Sequence, residues 1–304
     1  MANSVETFCL LFESLKVEVT DQTSNKLKLL HIAAIQDRHK IVRFLIEKGI
    51  DINGRYLDEY TALHTAASCY NRSTVKTSLE HGAYYDSECL VDKKPINLAE
   101  EELTVFSLEI IDSLFSYIKE GDYIGCLDCL KRNAFVNAKS SSSLTSLHYA
   151  CQNGFFDIVK LLLDFNADIN MTAGYGTPLV YAVLFDHYEV VKILLKYGAV
   201  YNVTTKFGGN SLARLSQNLD IIHLLELIDK VFDAIIKCDI TIVDEIKKIK
   251  DLDILQCILS AHNNDNKQLY LEAQNSKFPE DKFFEIYAHE AYLCVKKYTL
   301  NKLL

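Results

Sequence analysis

The chain has 304 residues, 49% hydrophobic and 24% charged, ample for a buried core and ordinary for a folded body. Its formal charge of −9 argues against binding a phosphate backbone, which needs a basic footprint, so no nucleic-acid partner is expected. No apolar run reaches the length of a membrane span, and the N-terminus lacks a basic region leading an apolar one, so neither membrane insertion nor a Sec-type signal is indicated.

Residues 1–24 read as a capping helix. From Lys28 one pattern recurs: Leu29-Leu-His-Ile-Ala-Ala34, Thr61-Ala-Leu-His-Thr-Ala-Ala67, Thr145-Ser-Leu-His-Tyr-Ala-Cys151 and Thr177-Pro-Leu-Val-Tyr-Ala182. The starting columns are Lys28, Thr61, Thr145 and Thr177, 33 residues apart in the first pair and 32 in the last. A second motif follows at a fixed offset: Gly49-Ile-Asp-Ile-Asn53, Gly82-Ala-Tyr-Tyr-Asp86, Asn166-Ala-Asp-Ile-Asn170 and Gly198-Ala-Val-Tyr-Asn202. Thr61, Thr145 and Thr177 suit the N-cap of a first helix, where a hydroxyl accepts from orphan N–H groups. Pro178 suits the first helical position. Leu30, Leu63, Leu147 and Leu179 are expected between the helices. Second helices over residues 41–46, 158–163 and 190–195 are apolar except for one Lys or Arg, the pattern of a helix covered on both sides. Gly49, Gly82, Asn166 and Gly198 end them in the left-handed conformation.

Weaker copies fill the gaps. Residues 114–137 fit the frame from Asp112, 33 before Thr145, and residues 211–225 and 231–246 read as degenerate copies. Lys94-Pro-Ile-Asn-Leu-Ala99 starts in phase, 33 after Thr61, yet only 18 residues separate Lys94 from Asp112. Either its second helix is short or a hairpin is missing, and an irregular joint is expected near residues 100–112. The expected organisation is a cap over 1–24, repeat blocks over 25–111 and 112–254, and a helical cap over 255–304. The serines at 140–143 read as a loop tip. In the last segment Pro279 followed by Glu280 and Asp281 makes a helix start.

The period, the Thr-x-Leu-His column and the downstream motif together resemble the ankyrin-repeat family. The resemblance implies an all-α ankyrin-repeat solenoid of helix-turn-helix repeats with hairpin loops, closed by helical capping segments. It also implies a scaffold that binds a partner protein through a concave face and hairpin fingers. In that family, targets contact the fingers and the exposed side of each first helix. Carried onto this chain, those positions are Tyr56, Leu57, Asp58 and Tyr60 with Cys69. They continue with Ser142, Gln152 and Asn153, then Tyr175, Leu184 and Phe185, then Phe207. The aromatics are the most telling, because loops favour small polar residues. The alternative for each is packing on the adjacent repeat.

No cofactor, metal ion or catalytic group is expected. Cys126-Leu-Asp-Cys129 has the spacing of a redox pair or half a zinc site, but no second pair follows and both thiols fall in core columns. His31, His64 and His148 share one column, where an imidazole bonding the loop backbone is a better reading than a metal ligand. Acidic runs at 100–102 and 244–245 read as solvated faces. Nine cysteines agree with a reducing, cytoplasmic setting, or the host cytosol for a protein of an intracellular microbe. Phe278-Pro-Glu-Asp-Lys-Phe-Phe-Glu-Ile286 resembles the opening of an F-box, with Phe278 in place of the usual Leu. That resemblance implies an adaptor with ubiquitin ligase subunits as partners; the alternative for the same helix is a cap over the last repeat. An enzyme with a cryptic site in the degenerate C-terminal third is the alternative from another class.

Overall fold

Helical pairs form where the apolar period is bounded by a polar cap and a left-handed stop. The computed structural model describes residues 24–201 and 212–236. The expected N-terminal cap up to residue 23, Phe207 and the segment 255–304 lie outside them. The described helices are α1 (Ser24–Ile35), α2 (His39–Glu47), α3 (Ala62–Ser68), α4 (Arg72–Glu80), α5 (Pro95–Leu98), α6 (Glu102–Glu120), α7 (Tyr123–Lys131), α8 (Ser146–Asn153), α9 (Phe156–Asp164), α10 (Pro178–Leu184), α11 (Tyr188–Lys196) and α12 (Leu219–Ile236), with a 3-10 turn at Leu212–Leu215. The expected all-α class holds: among the described residues no strand forms, only isolated bridges in the loops.

The described chain falls into two compact units. One runs to Ser146 and takes in Phe165–Ala167; the other holds Leu147–Asp164 and continues from Asp168. In the first, α1 pairs with α2 and α3 with α4, while α1 packs on α3 and α2 on α4. Thr61 begins α3 as expected: its hydroxyl accepts from the His64 N–H at 3.4 Å, and the His64 ring accepts from the Thr61 N–H at 3.2 Å. This is a reciprocal cap with histidine in the place of the usual carboxylate or amide.

The hairpin between Lys94 and Asp112 is missing. α5 is a single turn, and α6 then runs unbroken for 19 residues. The Glu101 carboxylate caps α6 by accepting from the Thr104 N–H at 2.8 Å, and Gly121 ends it in the left-handed region at φ 75°. Asp122 immediately caps α7, accepting from Ile124 and Gly125 N–H groups at 3.0 and 3.1 Å. With no finger from this stretch, the loop after α4 meets the loop after α7 directly. The Tyr85 N–H donates to the Lys139 carbonyl at 3.1 Å, and the Ser141 N–H donates to Asp86 at 2.5 Å.

In the second unit α10 packs on α11 and on the 3-10 turn, α9 on α11, and α12 on the turn and α11. Thr177 corrects one expectation. It occupies the N-cap with extended backbone, but its buried hydroxyl makes no hydrogen bond. Pro178 supplies no N–H at the next position, so this helix start relies on proline geometry rather than on a hydroxyl cap.

Two polar columns tie repeats together. His31, His64 and His148 each place Nε2 on a loop carbonyl 28 or 29 residues further on: Tyr60 at 2.8 Å, Lys93 at 3.0 Å and Gly176 at 3.2 Å. Asn53 donates to the Gly82 carbonyl and accepts from the Tyr84 N–H, and Asn170 likewise accepts from the Val200 N–H at 2.8 Å. The histidine column is therefore an inter-repeat bond.

His64 carries a pH dependence. It is fully buried, and burial holds its pKa below the ordinary imidazole value of 6.5. Nδ1 accepts from Thr61, so Nε2 bears the proton donated to Lys93 and a second proton must displace the Thr61 N–H. A depressed folded pKa means stability is full above about pH 6.5 and is lost as pH falls through the folded value. The urea midpoint should fall between about pH 7 and 5.5, and fall less in His64→Gln. Parallel profiles for the two proteins would show that another group sets the slope.

Candidate functional site

Fingers form because short antiparallel loops close just ahead of each first helix. In the first, Tyr56 and Tyr60 exchange N–H···O bonds at 2.9 and 3.0 Å around Leu57, Asp58 and Glu59. Asp58 and Glu59 both sit at positive φ, 53° and 63°, and Asp92 at φ 55° and Ser143 at φ 66° repeat the Glu59 position in later fingers. Non-glycine residues in this region store about 1–3 kcal/mol each and persist only where the surroundings hold them. Here cross-finger bonds do so: the Leu90 N–H donates to the Asp58 carbonyl at 3.1 Å, and Arg55 donates to the Glu88 carbonyl at 2.8 Å while lying 3.4 Å from Glu59.

This geometry sorts the residues carried over from the resemblance. Leu57 is 72% exposed at the fingertip, with Asp58 beside it. Tyr56 and Tyr60 turn back: Tyr56 lies 5.4 Å from the His31 ring, and Tyr60 stacks on His64 at 5.5 Å. Both are half-buried, as is Cys69 at the end of α3. Ser142 is exposed at its loop tip. In the second unit Gln152 is half-buried and its carbonyl accepts from His187 at 2.9 Å, while exposed Asn153 donates to the Tyr149 carbonyl. Tyr175 and Phe185 are exposed on either side of buried Tyr181, with ring centroids 5.6 and 6.5 Å from it, and Leu184 is half-buried. Asp186 serves the frame: it accepts from Ser216, Gln217 and Asn218, and the Ser216 hydroxyl holds its carboxyl below the ordinary carboxylate range.

Sequence reasoning missed Leu90 and Val91, 68% and 61% exposed on the second finger. The available signal was spacing, since Leu90 stands 33 residues after Leu57. The Thr of the signature is replaced by Lys94, which hid the finger.

Cys126 and Cys129 are buried, and burial pushes the Cys126 thiol up to about 12 and raises Cys129. Thiols held protonated at neutral pH are poor nucleophiles and poor metal ligands. Among the described residues no group of three His, Cys, Asp or Glu side chains is placed to hold a metal ion, and no helix is long and apolar enough to cross a membrane.

A family model of ankyrin repeats (3 copies) matches residues 1–89 and 114–205. Among curated proteins, the chain is 29% identical over 161 residues to E3 ubiquitin-protein ligase XBAT33 of Arabidopsis thaliana, covering 49% of this chain and 31% of that protein. It is 29% identical over 163 residues to palmitoyltransferase AKR1 of Lachancea kluyveri, covering 46% and 22%. The chain thus spans less than a third of the length of either relative. Among solved structures, the human ASB11 ankyrin repeat domain matches at 24% identity, covering 65% of this chain and 81% of that one, with a TM-score of 0.34.

Proposed function

The chain belongs to the ankyrin-repeat family, and from that premise we propose that it is a non-catalytic module that binds a partner protein through its fingers and the exposed sides of its first helices. The observation that carries this reading is the pair of cross-bonded fingers presenting Leu57, Leu90 and Val91 to solvent. Exposed aliphatic groups on a strained, rigid loop lose little conformational entropy on contact, which favours affinity. Tyr175 and Phe185 supply a corresponding aromatic contact area in the second unit. The free thiols of Cys89, Cys126, Cys129 and Cys151 fit a reducing compartment, the cytoplasm.

The test is affinity capture with mass spectrometry, comparing the chain with Leu57→Ser/Leu90→Ser. These side chains are exposed, so helical signal and melting temperature should be unchanged while recovery of the partner falls by about tenfold. Undiminished recovery would remove the fingertips from the interface.

A second reading is favoured by one observation, the likeness to a protein named as an E3 ubiquitin-protein ligase. In that reading the chain is an adaptor, and the F-box-like stretch at 278–286 recruits ligase subunits. Ligase subunits recovered with the full chain but not with one ending at Asn275 would establish it. Their absence from both would leave a binding scaffold.

A further inference from the structure

We propose that Asn153-Gly154 is a site of spontaneous covalent modification, at which the side-chain amide is lost to water and isoaspartate or aspartate enters the turn between α8 and α9. This chemistry does not depend on what the surface binds. The chain contains two Asn-Gly pairs, Asn53-Gly54 and Asn153-Gly154. Glycine after asparagine leaves the next amide nitrogen with no Cβ beside it, so that nitrogen can reach the asparagine Cγ. The structure separates the two pairs. Asn53 is locked: its amide donates to the Gly82 carbonyl at 3.1 Å and accepts from the Tyr84 N–H at 2.8 Å, and the Gly54 N–H donates to the Asp51 carbonyl at 3.0 Å. Asn153 is exposed, and among the described residues its only side-chain bond runs from Nδ2 to the Tyr149 carbonyl at 2.8 Å. The Gly154 N–H stands 3.4 Å from the Cys151 carbonyl, a long and weak contact.

The turn itself demands the labile partner. Gly154 leaves α8 at φ 73°, and a Cβ there would stand 2.4 Å from His187 Nδ1, so glycine meets both conditions. Asn153 is the last residue of α8. A helix end has no following turn to hold it and opens locally far below the cost of global unfolding. Opening this last turn, with release of the Tyr149 carbonyl, lets the Gly154 nitrogen swing onto Asn153 Cγ. Asn53 has to part from the next repeat before it can do the same.

Hydroxide takes the Gly154 amide proton, and the nitrogen attacks Cγ. The N–Cγ bond forms, the Cγ–Nδ2 bond breaks, and ammonia leaves with a proton from water, which restores the hydroxide. The five-membered imide then takes up water at either carbonyl. Opening at Cγ gives aspartate on the original backbone; opening at the main-chain carbonyl gives isoaspartate, with the chain rerouted through Cγ. One water is consumed, one ammonia is released, and nothing is oxidised or reduced. Either product adds a negative charge at the end of α8, where the helix dipole is already negative. It also sets a carboxylate at one of the contact positions carried over from the family. Isoaspartate lengthens the main chain by one carbon. That carbon displaces the Phe155 N–H from the Ala150 carbonyl, now at 3.1 Å, and shifts the Gln152 carbonyl that accepts from His187 at 2.9 Å.

The experiment incubates the full chain in mildly alkaline buffer made with heavy-oxygen water, then digests it and follows both Asn-Gly peptides by mass spectrometry. Heavy oxygen in the product dates the reaction to the incubation rather than the digestion. In the folded chain the Asn153 peptide should convert about tenfold faster than the Asn53 peptide, and in denaturant the two should convert at similar rates. Asn153→Gln, which would have to close a six-membered ring, should abolish the product at 153 with circular dichroism unchanged. The modified fraction, resolved by ion exchange, should show faster hydrogen exchange at Phe155 than Asn153→Gln incubated alongside. Conversion at Asn53 as fast as at Asn153 in the folded chain, no heavy oxygen at Asn153, or equal exchange at Phe155 would each overturn the proposal.

Discussion

Leu147→Ala is expected to destabilise the second unit by about 2–5 kcal/mol, through lost burial and the cavity left behind. Leu147 is 1% exposed, and its counterparts Leu30, Leu63 and Leu179 are fully buried. The flanking small residues Ala150 and Cys151 are also fully buried, so little side-chain volume can relax into the gap. Repeat stability is close to a sum of unit and nearest-neighbour terms, so the loss should fall most heavily on adjoining helices. Hydrogen exchange should accelerate in α8 to α11 and stay close to wild type in α1 and α2, which belong to the first unit. A loss below about 1 kcal/mol at unchanged denaturant slope would mean the column is not a packing column.

The repeat frame was legible because a period of 33 prints the same physical need several times. A buried Leu, a His reaching the next loop and a left-handed helix stop recur in register, so each copy supports the others. Single-copy features were less legible. The choice between a short helix and a missing hairpin at 94–112 turned on a 19-residue helix whose buried face, from Leu108 to Ile118, crosses the point where a finger belongs. For the candidate surface, the column identifies fingertip positions but not side-chain direction. Tyr60 and Leu57 occupy one finger, yet the ring turns onto His64 while the aliphatic group faces solvent. An aromatic with a polar edge can satisfy an imidazole neighbour; a leucine on a two-residue left-handed tip has no such partner.

Gly154→Ala should cost about 2–3 kcal/mol, although it adds one methyl group to a partly exposed turn. Two effects combine. Gly154 sits at φ 73°, where an L-residue pays about 1–2 kcal/mol, partly offset by the lower entropy of the unfolded alanine chain. The added Cβ would also stand 2.4 Å from His187 Nδ1 and 2.8 Å from its Cγ. Those atoms belong to a ring held by the Nε2 bond to the Gln152 carbonyl at 2.9 Å, so the ring must swing away and release that carbonyl. Breaking this bond costs about 1 kcal/mol. The two parts can be separated in a double-mutant cycle. In a His187→Ala background the clash is gone, and Gly154→Ala should then cost only its backbone share. An equal cost in both backgrounds would show that the ring plays no part, leaving the left-handed turn as the whole reason for glycine at this position.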